Sequence, residues 1–448
     1  MIQETTSTFA LPRDLDDGLR LRRSTPADAD ALAEFNGRIH PDPPLTYDER
    51  IAVWTRGLLR GDHPTFGVDD FTIVEDTAAG KIVSSMNLIS QTWAYDGIPF
   101  CVGRPELVGT EPAYRKRGLV RVQFEEIHRW SAARGELAQA ITGIPFYYRQ
   151  FGYEMALTLG GGRRGYPASA PKLKDGEAEP VRFRPVAEAD LPFVMEVDAY
   201  AGRRSLLTCV RDLAQWHYEI FAKDALDVNR LEFRMIETAG GEPLGVFGYG
   251  AGLENNILGI AYVELKPAAS WLPVIAPLLR YLKATGEEYA RQEGKPFDAF
   301  SFWMGPEHPL NQVTQDRLPH VRRPYAWYLR VPDLPGFLRH VAPALEARLA
   351  RSAAVGHTGD LRLDFYRDGL RLAFENGRLT AVEPWAATRE DGGSAGFPGL
   401  TFLQLLFGYR TLAEVQAAFA DCWVDGDDAR ALLDALFPKQ ASCFWPVA

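Results

Sequence analysis

Cysteine is scarce, at 4 of 448 residues. The nearest two, Cys422 and Cys443, stand 21 positions apart, so neither a CxxC metal clip nor a dense disulfide framework is written in the chain. Reduced thiols in a cytoplasmic protein are the expectation. No window holds the roughly 20 consecutive apolar residues that a membrane helix needs. The opening MIQETTSTFALPRDLDDG has no basic segment leading into an apolar one, so neither spanning nor secretion is expected. Cations are in deficit, 49 Lys+Arg against 59 Asp+Glu for a net charge of −10, which argues against nucleic acid as a general partner. No histidine pairs with a cysteine or carboxylate at ligand spacing, so no metal is expected.

What is present reads as ordinary globular composition, 46% hydrophobic and 24% charged. At roughly 150 residues per domain the length leaves room for about three cores. Residues 19–35 (LRLRRSTPADADALAEF) alternate and then turn helical after Ser24-Thr25-Pro26, a strand feeding a helix. The same opening recurs at 181–197 (VRFRPVAEADLPFVMEV): Arg184 falls 162 positions after Arg22, as Phe183 does after Leu21, Asp190 after Asp28 and Val194 after Leu32. That suggests an internal duplication. Between the copies, YPASAPKLKDGEAEP (166–180) has the prolines, small residues and lack of apolar period of a linker. A further break is expected near 330, where two prolines precede a helical face of Phe337, Val341, Leu345 and Leu349. Asp368-Gly369 and Asn376-Gly377 then mark two hairpins of a three-stranded meander, followed by helical stretches at 401–409 and 428–437. The reading is a mixed α+β protein with units at 19–165, 181–330 and 335–448.

Residues 105–135 carry the chemistry. Leu107 to Thr110 reads as a short strand, and Val120, Phe124, Ile127 and Trp130 recur at helical spacing. The segment Tyr114 to Leu119 is therefore a turn into a helix N-terminus, where free backbone N–H groups, the helix dipole and the missing Cβ of Gly118 make a place for a pyrophosphate. The cations Arg115, Lys116 and Arg117 attract phosphate but oppose the dipole if nothing anionic binds. A solvated basic turn fits the same spacing.

About 25 residues on, AQAITGIPFYYRQFGYEMA adds an expected strand, Ala138 to Ile141, and three tyrosines around Phe151-Gly152. Here the chain resembles the GNAT acetyltransferase superfamily, through Arg115-x-x-Gly118-x-Val120 and Tyr148-x-x-Phe151-Gly152-Tyr153. Val120 departs from the Gly or Ala preferred there, which loosens approach at that amide. With a second GNAT-like unit and a small sterol-carrier-like α+β unit after it, the whole chain resembles the Eis (enhanced intracellular survival) acetyltransferases. The resemblance implies acetyl-CoA as co-substrate, held by Val108, Gly109 and Thr110 of the strand, by Arg115, Lys116, Arg117, Gly118, Leu119, Val120 and Arg121 of the turn, and by Gly143 and Ile144. It also implies a homo-oligomer, a hexamer in that family, with a small-molecule amine as acceptor.

An amine must lose a proton before it attacks a thioester, since its ammonium form, with a pKa of about 10.4, has no free lone pair. The departing thiolate in turn is best met by an acid. The resemblance assigns the acid to Tyr148 and the base to the α-carboxylate of the last residue, Ala448, acting through water. The apolar end SCFWPVA suits a buried terminus. A carboxylate with an ordinary pKa of about 3.5 is a weak base unless desolvated, so this role needs a dry site. Phe35, Trp93 and Leu107, with Asn36, Trp54 and Tyr95, are candidates to line the acceptor pocket, and each serves equally as core. The net negative charge favours a cationic amine: an aminoglycoside, a polyamine or a lysine side chain. His128 reads as a partly exposed helix residue and not as a base. A different class of function, a lipid carrier using the last unit around Leu370, Phe374, Leu403 and Phe407, with an inactive acetyltransferase core, is the alternative.

Overall fold

The computed structural model describes residues 11–445. The alternating segment Leu19–Arg23 is a strand, and it opens a sheet in which Phe71–Asp76, Lys81–Tyr95, Ile98–Thr110, Ala138–Ile141, Tyr325–Arg330 and Glu154–Leu159 follow in that spatial order. Helices Ala29–Ile39 and Glu49–Leu59 close one face over Phe35, Trp54, Leu58, Phe71, Ile73 and Leu107. Helix Leu119–Ala133 closes the other over Met86, Leu88, Phe124, Ile127, Trp130 and Tyr148. All three helices carry their apolar residues three and four apart, so each buries a single stripe against the sheet.

A second sheet runs His320–Arg322, Gly162–Gly165, Ala299–Phe302, Ile257–Leu265, Pro243–Gly250, Leu231–Thr238 and Val181–Pro185. Its opening repeats the first one atom for atom. Arg22 forks onto Asp28 (2.7 and 2.9 Å) and gives its Nε to Glu75 (2.8 Å). Arg184 forks onto Asp190 (2.6 and 2.9 Å) and gives its Nε to Glu237 (2.7 Å). Even the backbone N–H of Thr25 on Asp28 and of Ala187 on Asp190, both 2.8 Å, recur. Every residue of the second set stands 162 positions after its counterpart.

The meander appears as Gly359–Asp364, Gly369–Glu375 and Arg378–Trp385, extended by Ala395–Gly396 and Trp423–Val424. Its core runs without a break into the first sheet: Trp93, Phe100, Leu207, Phe337, Leu361 and Phe402 belong to one cluster.

Three features depart from the linear reading. Tyr325–Arg330, from the end of the second stretch, sits in the first sheet between Ala138–Ile141 and Glu154–Leu159, while Gly162–Gly165, from the end of the first, sits in the second sheet. The two units thus exchange a strand. The face Phe337 to Leu349 is not one helix but two, Leu334–His340 and Ala342–Leu349, broken at Val341. Pro343 supplies no N–H to the preceding turn and starts the second helix instead. Finally, the strand expected at Leu107 begins at Ile98, joined to Lys81–Tyr95 by an Asp96-Gly97 turn with both φ positive, at 48° and 83°.

Candidate active site

The site grows from a fault in that long hairpin. Ser85 pairs with Gly109 but Asn87 pairs with Glu106, so the strand Ile98–Thr110 carries one extra residue, and Leu107 takes up the bulge with φ of +50°. On its other edge the same strand pairs with Ala138–Ile141 only at Val102 and Gly103. Beyond Gly103 the two strands part. The backbone of residues 106–110 on that edge is left without a ladder partner, a template for an extended ligand that carries amides of its own.

At the end of the parted strand the chain turns into helix Leu119–Ala133. Lys116 and Gly118 adopt left-handed backbone, with φ of 63° and 77°. A Cβ at Gly118 would meet nothing within 4 Å, so the ground beside the helix start is open. The first intrahelical bond runs from the Val122 N–H to the Gly118 carbonyl (3.1 Å), which leaves the amides of Leu119, Val120 and Arg121 pointing outward. No side chain caps them and no acid lies in the first turn. Arg115, Lys116, Arg117 and Arg121 are all exposed around this start. A buried network fixes the turn from below: Ser84 Oγ accepts from Gln123 (2.7 Å), donates to the Gly109 carbonyl (2.8 Å) and meets Thr110 Oγ1 (2.7 Å). Charge, dipole and free donors converge, the arrangement that holds a diphosphate.

Tyr148 lies across the gap. It is 3% exposed, ringed by Phe124, Tyr147 and Tyr328, with centroids 5.4 to 6.1 Å away. Burial pushes its phenol well above the ordinary value, and the carboxyl of Glu106 adds to the shift. Its hydroxyl makes no hydrogen bond among the described residues, and it lies 3.6 Å from where a Cβ of Gly143 would stand. Gly143 needs its φ of 120°, and with Ile144 it is exposed. Two tyrosines of the exchanged strand pin this turn: the Tyr328 hydroxyl accepts from the Phe146 N–H (2.6 Å) and the Tyr325 hydroxyl donates to the Gly143 carbonyl (3.3 Å).

Of the residues named from the sequence, Val108 and Val120 pack in one cluster with Tyr148, and Gly143 stands beside its hydroxyl. Phe35 and Leu107 share the core beneath the first two helices, and a Cβ on Gly109 would come within 3.3 Å of Phe35. Trp93 is elsewhere, buried in the cluster shared with the last unit, with Phe444 edge-on at 4.7 Å. Ala448 lies outside the described residues. The tail leading to it crosses from Phe444, against Trp93, to Trp445, whose ring is 4.9 Å from the Arg211 guanidinium. His128 is half-buried, 3.1 Å from the Tyr153 hydroxyl, and burial pushes it down to about 3, so it stays neutral. Two groups escaped the sequence reading. Arg104 and Glu106 form an ion pair inside the long strand, and burial raises the Glu106 carboxyl despite that partner. The signal was there: charges two apart within an apolar run.

Among the described residues no group of three or more His, Cys, Asp or Glu is placed to hold a metal, and no helix is long and apolar enough to cross a membrane. Residues 21–156 match the family model of the acetyltransferase (GNAT) domain. No curated protein matches the chain. Among solved structures, a GCN5-related N-acetyltransferase from Anabaena variabilis aligns with a TM-score of 0.63 at 15% identity, covering 96% of this chain and 99% of that one. A GCN5-related N-acetyltransferase from Kribbella flavida aligns at 0.59 and 18%, covering 95% and 97%. Eis1 from Mycobacterium abscessus aligns at 0.59 and 14%, covering 94% and 98%. These identities establish a shared fold along nearly the whole chain. The domain match makes residues 21–156 an acetyltransferase (GNAT) domain, for which acetyl-CoA is the implied co-substrate.

Proposed function

We propose that the chain moves the acetyl group of acetyl-CoA onto a primary amine of a small cationic acceptor, such as an aminoglycoside, a polyamine or a lysine-like amine, by direct attack in a ternary complex. The observation that carries this reading is the single gap bordered by free helix amides, an unpaired strand edge and a buried phenol. In it, the diphosphate rests on the amides of residues 116–121, and the arm between diphosphate and thioester lies along Val108 to Thr110 with Gly143 and Ile144 opposite. The amine nitrogen attacks the thioester carbon, the C–N bond forms and the C–S bond breaks. Tyr148 gives its proton to the leaving sulfur. A free thiol has a pKa of about 8.5, below that of a buried phenol, so the transfer is uphill toward a finished thiolate and belongs to the bond-breaking itself.

The proton lost by the amine goes, in this reading, to the terminal carboxylate of Ala448 through water. The resemblance to the Eis enzymes supports that assignment, as does the apolar tail packed between the first two units. Phe35 and Leu107 back the acceptor side. The units 19–165, 181–330 and 335–448, the last sterol-carrier-like, and assembly into a cytoplasmic oligomer complete the reading. Extending the chain beyond Ala448 by a few residues should abolish turnover while acetyl-CoA still binds. Unimpaired kcat in the extended protein removes Ala448 from the mechanism and leaves Glu106, the carboxyl beside Tyr148, to take the proton.

A further inference from the structure

The second sheet carries two arginines without acidic partners. Gly162–Gly165 lies between Ala299–Phe302 and His320–Arg322, and the register sets Ser301, Arg164 and His320 in one row across the three strands. Arg322, two residues on from His320, therefore shares their face. It donates to Ser301 Oγ (3.0 Å) and stacks on Trp303, 3.8 Å from the ring centre. Arg164 makes no hydrogen bond or ion pair among the described residues, and its Nε is buried without a partner. Burial and the neighbouring Arg164 both pull the Arg322 guanidinium down from its ordinary value. A cavity of about 470 Å³ opens over this row, bordered also by Tyr166, whose ring meets His320 at 5.2 Å, and by Asp298. Asp298 is engaged by the Asn256 amide (3.1 Å) and bridges neither arginine.

Like charges set side by side in a sheet destabilise it, and an unpaired buried guanidinium donor adds to that cost. Trp303 and Glu254 favour the charge on Arg322, whereas Arg164 has no hydrogen-bonded or ionic partner among the described residues. We propose that the cavity is a binding site for a phosphate-bearing small molecule, separate from the acetyl-transfer gap and held by Arg164 and Arg322, with His320 and Tyr166 at its rim. Donors reach the cavity from two strands and a flanking loop. A phosphate can present oxygens to all of them, whereas a carboxylate has only two, and the volume falls in the range of small-molecule pockets.

The test is calorimetric titration of inorganic pyrophosphate into the full-length protein saturated with coenzyme A, so that the helix start near Gly118 is already filled. Wild type should give a saturable isotherm of one site per chain. Arg164→Gln should weaken it about tenfold or more, the loss of a charged hydrogen-bond donor. This substitution breaks no internal bond, so the melting temperature should hold or rise and acetyl transfer should be unchanged. Arg164→Lys keeps the charge without the fork and should fall between the two. No saturable heat in wild type, or equal affinity in wild type, R164Q and R322Q, overturns the proposal.

Discussion

The first two units share a ground plan down to the arginine fork that opens each sheet, yet only one of them has a gap. In the first, the parallel strands touch at two residue pairs and part. In the second, the corresponding strands stay joined over four, Ile257 to Ile260 with Ala299 to Phe302. The helix that follows starts differently as well. In the first unit it starts behind Gly118, left-handed and uncapped. In the second it starts behind Trp271, with Pro273 in its first turn and the Ser270 hydroxyl accepting from the Leu272 N–H (3.3 Å). Proline removes one of the donors a phosphate would need, and a side chain occupies another. The repeated scaffold therefore keeps its frame in both copies and the parted strands with an uncapped helix start in one. Frame and site are separable, because the frame rests on a repeated salt-bridge fork and the site on a bulge and a glycine.

Substitutions can sharpen that contrast. The largest effect is expected at Tyr148: Tyr148→Phe should lower kcat by about 10²- to 10³-fold, the scale of a lost general acid, while the dissociation constant of acetyl-CoA stays put. Equal activity would hand the acid role to water. Next come the matched forks. Arg22→Gln and Arg184→Gln should each cost about 2 kcal/mol of unfolding free energy, since each removes a half-buried charged fork with a third bond to a glutamate. Denaturant melts of the two variants should agree closely, and a large disparity would undo the equivalence of the frames.

A further effect distinguishes the units by pH. His128, on the helix of the gap, is held neutral by burial, its pKa lowered from 6.5 to about 3. As pH falls through 6.5 the unfolded chain takes up a proton that the folded chain refuses, so stability is lost progressively toward pH 3. His128→Gln should flatten that part of the stability curve, as read by melting temperature between pH 7 and 4. The smallest expectation is a null one: Pro273→Ala, in the second unit, should leave acetyl-CoA binding unchanged.

Much of this frame was legible because local pattern sufficed for it. The alternation at Leu19–Arg23 and Val181–Pro185, the hairpin pairs at Asp368-Gly369 and Asn376-Gly377, and the strand, glycine turn and helix around Gly118 all act over a few residues. The exchanged strands were not legible. Tyr325–Arg330 is apolar enough for either sheet, and only its pairing with Ile141 and Met155 decides which. For the same reason the sequence could not reveal that Tyr325 and Tyr328 would anchor the Gly143 turn from 182 residues away. The bulge at Leu107 depends on the register of its partner strand, and so does the burial of Glu106 beside Tyr148. Trp93 went to the shared core and not to the gap because Leu207–Val210 lies against its strand there, another distant pairing.

One measurement bears most directly on the account: titrating acetyl-CoA into wild type and into Gly118→Ala. Alanine meets no protein atom there but must hold φ near +77°, a cost of about 1–2 kcal/mol that falls on the bound geometry of the turn. The expected result is one acetyl-CoA per chain in wild type and an affinity about tenfold lower in the variant. Two sites per chain, or a Gly118→Ala protein that binds as tightly as wild type, would contradict it.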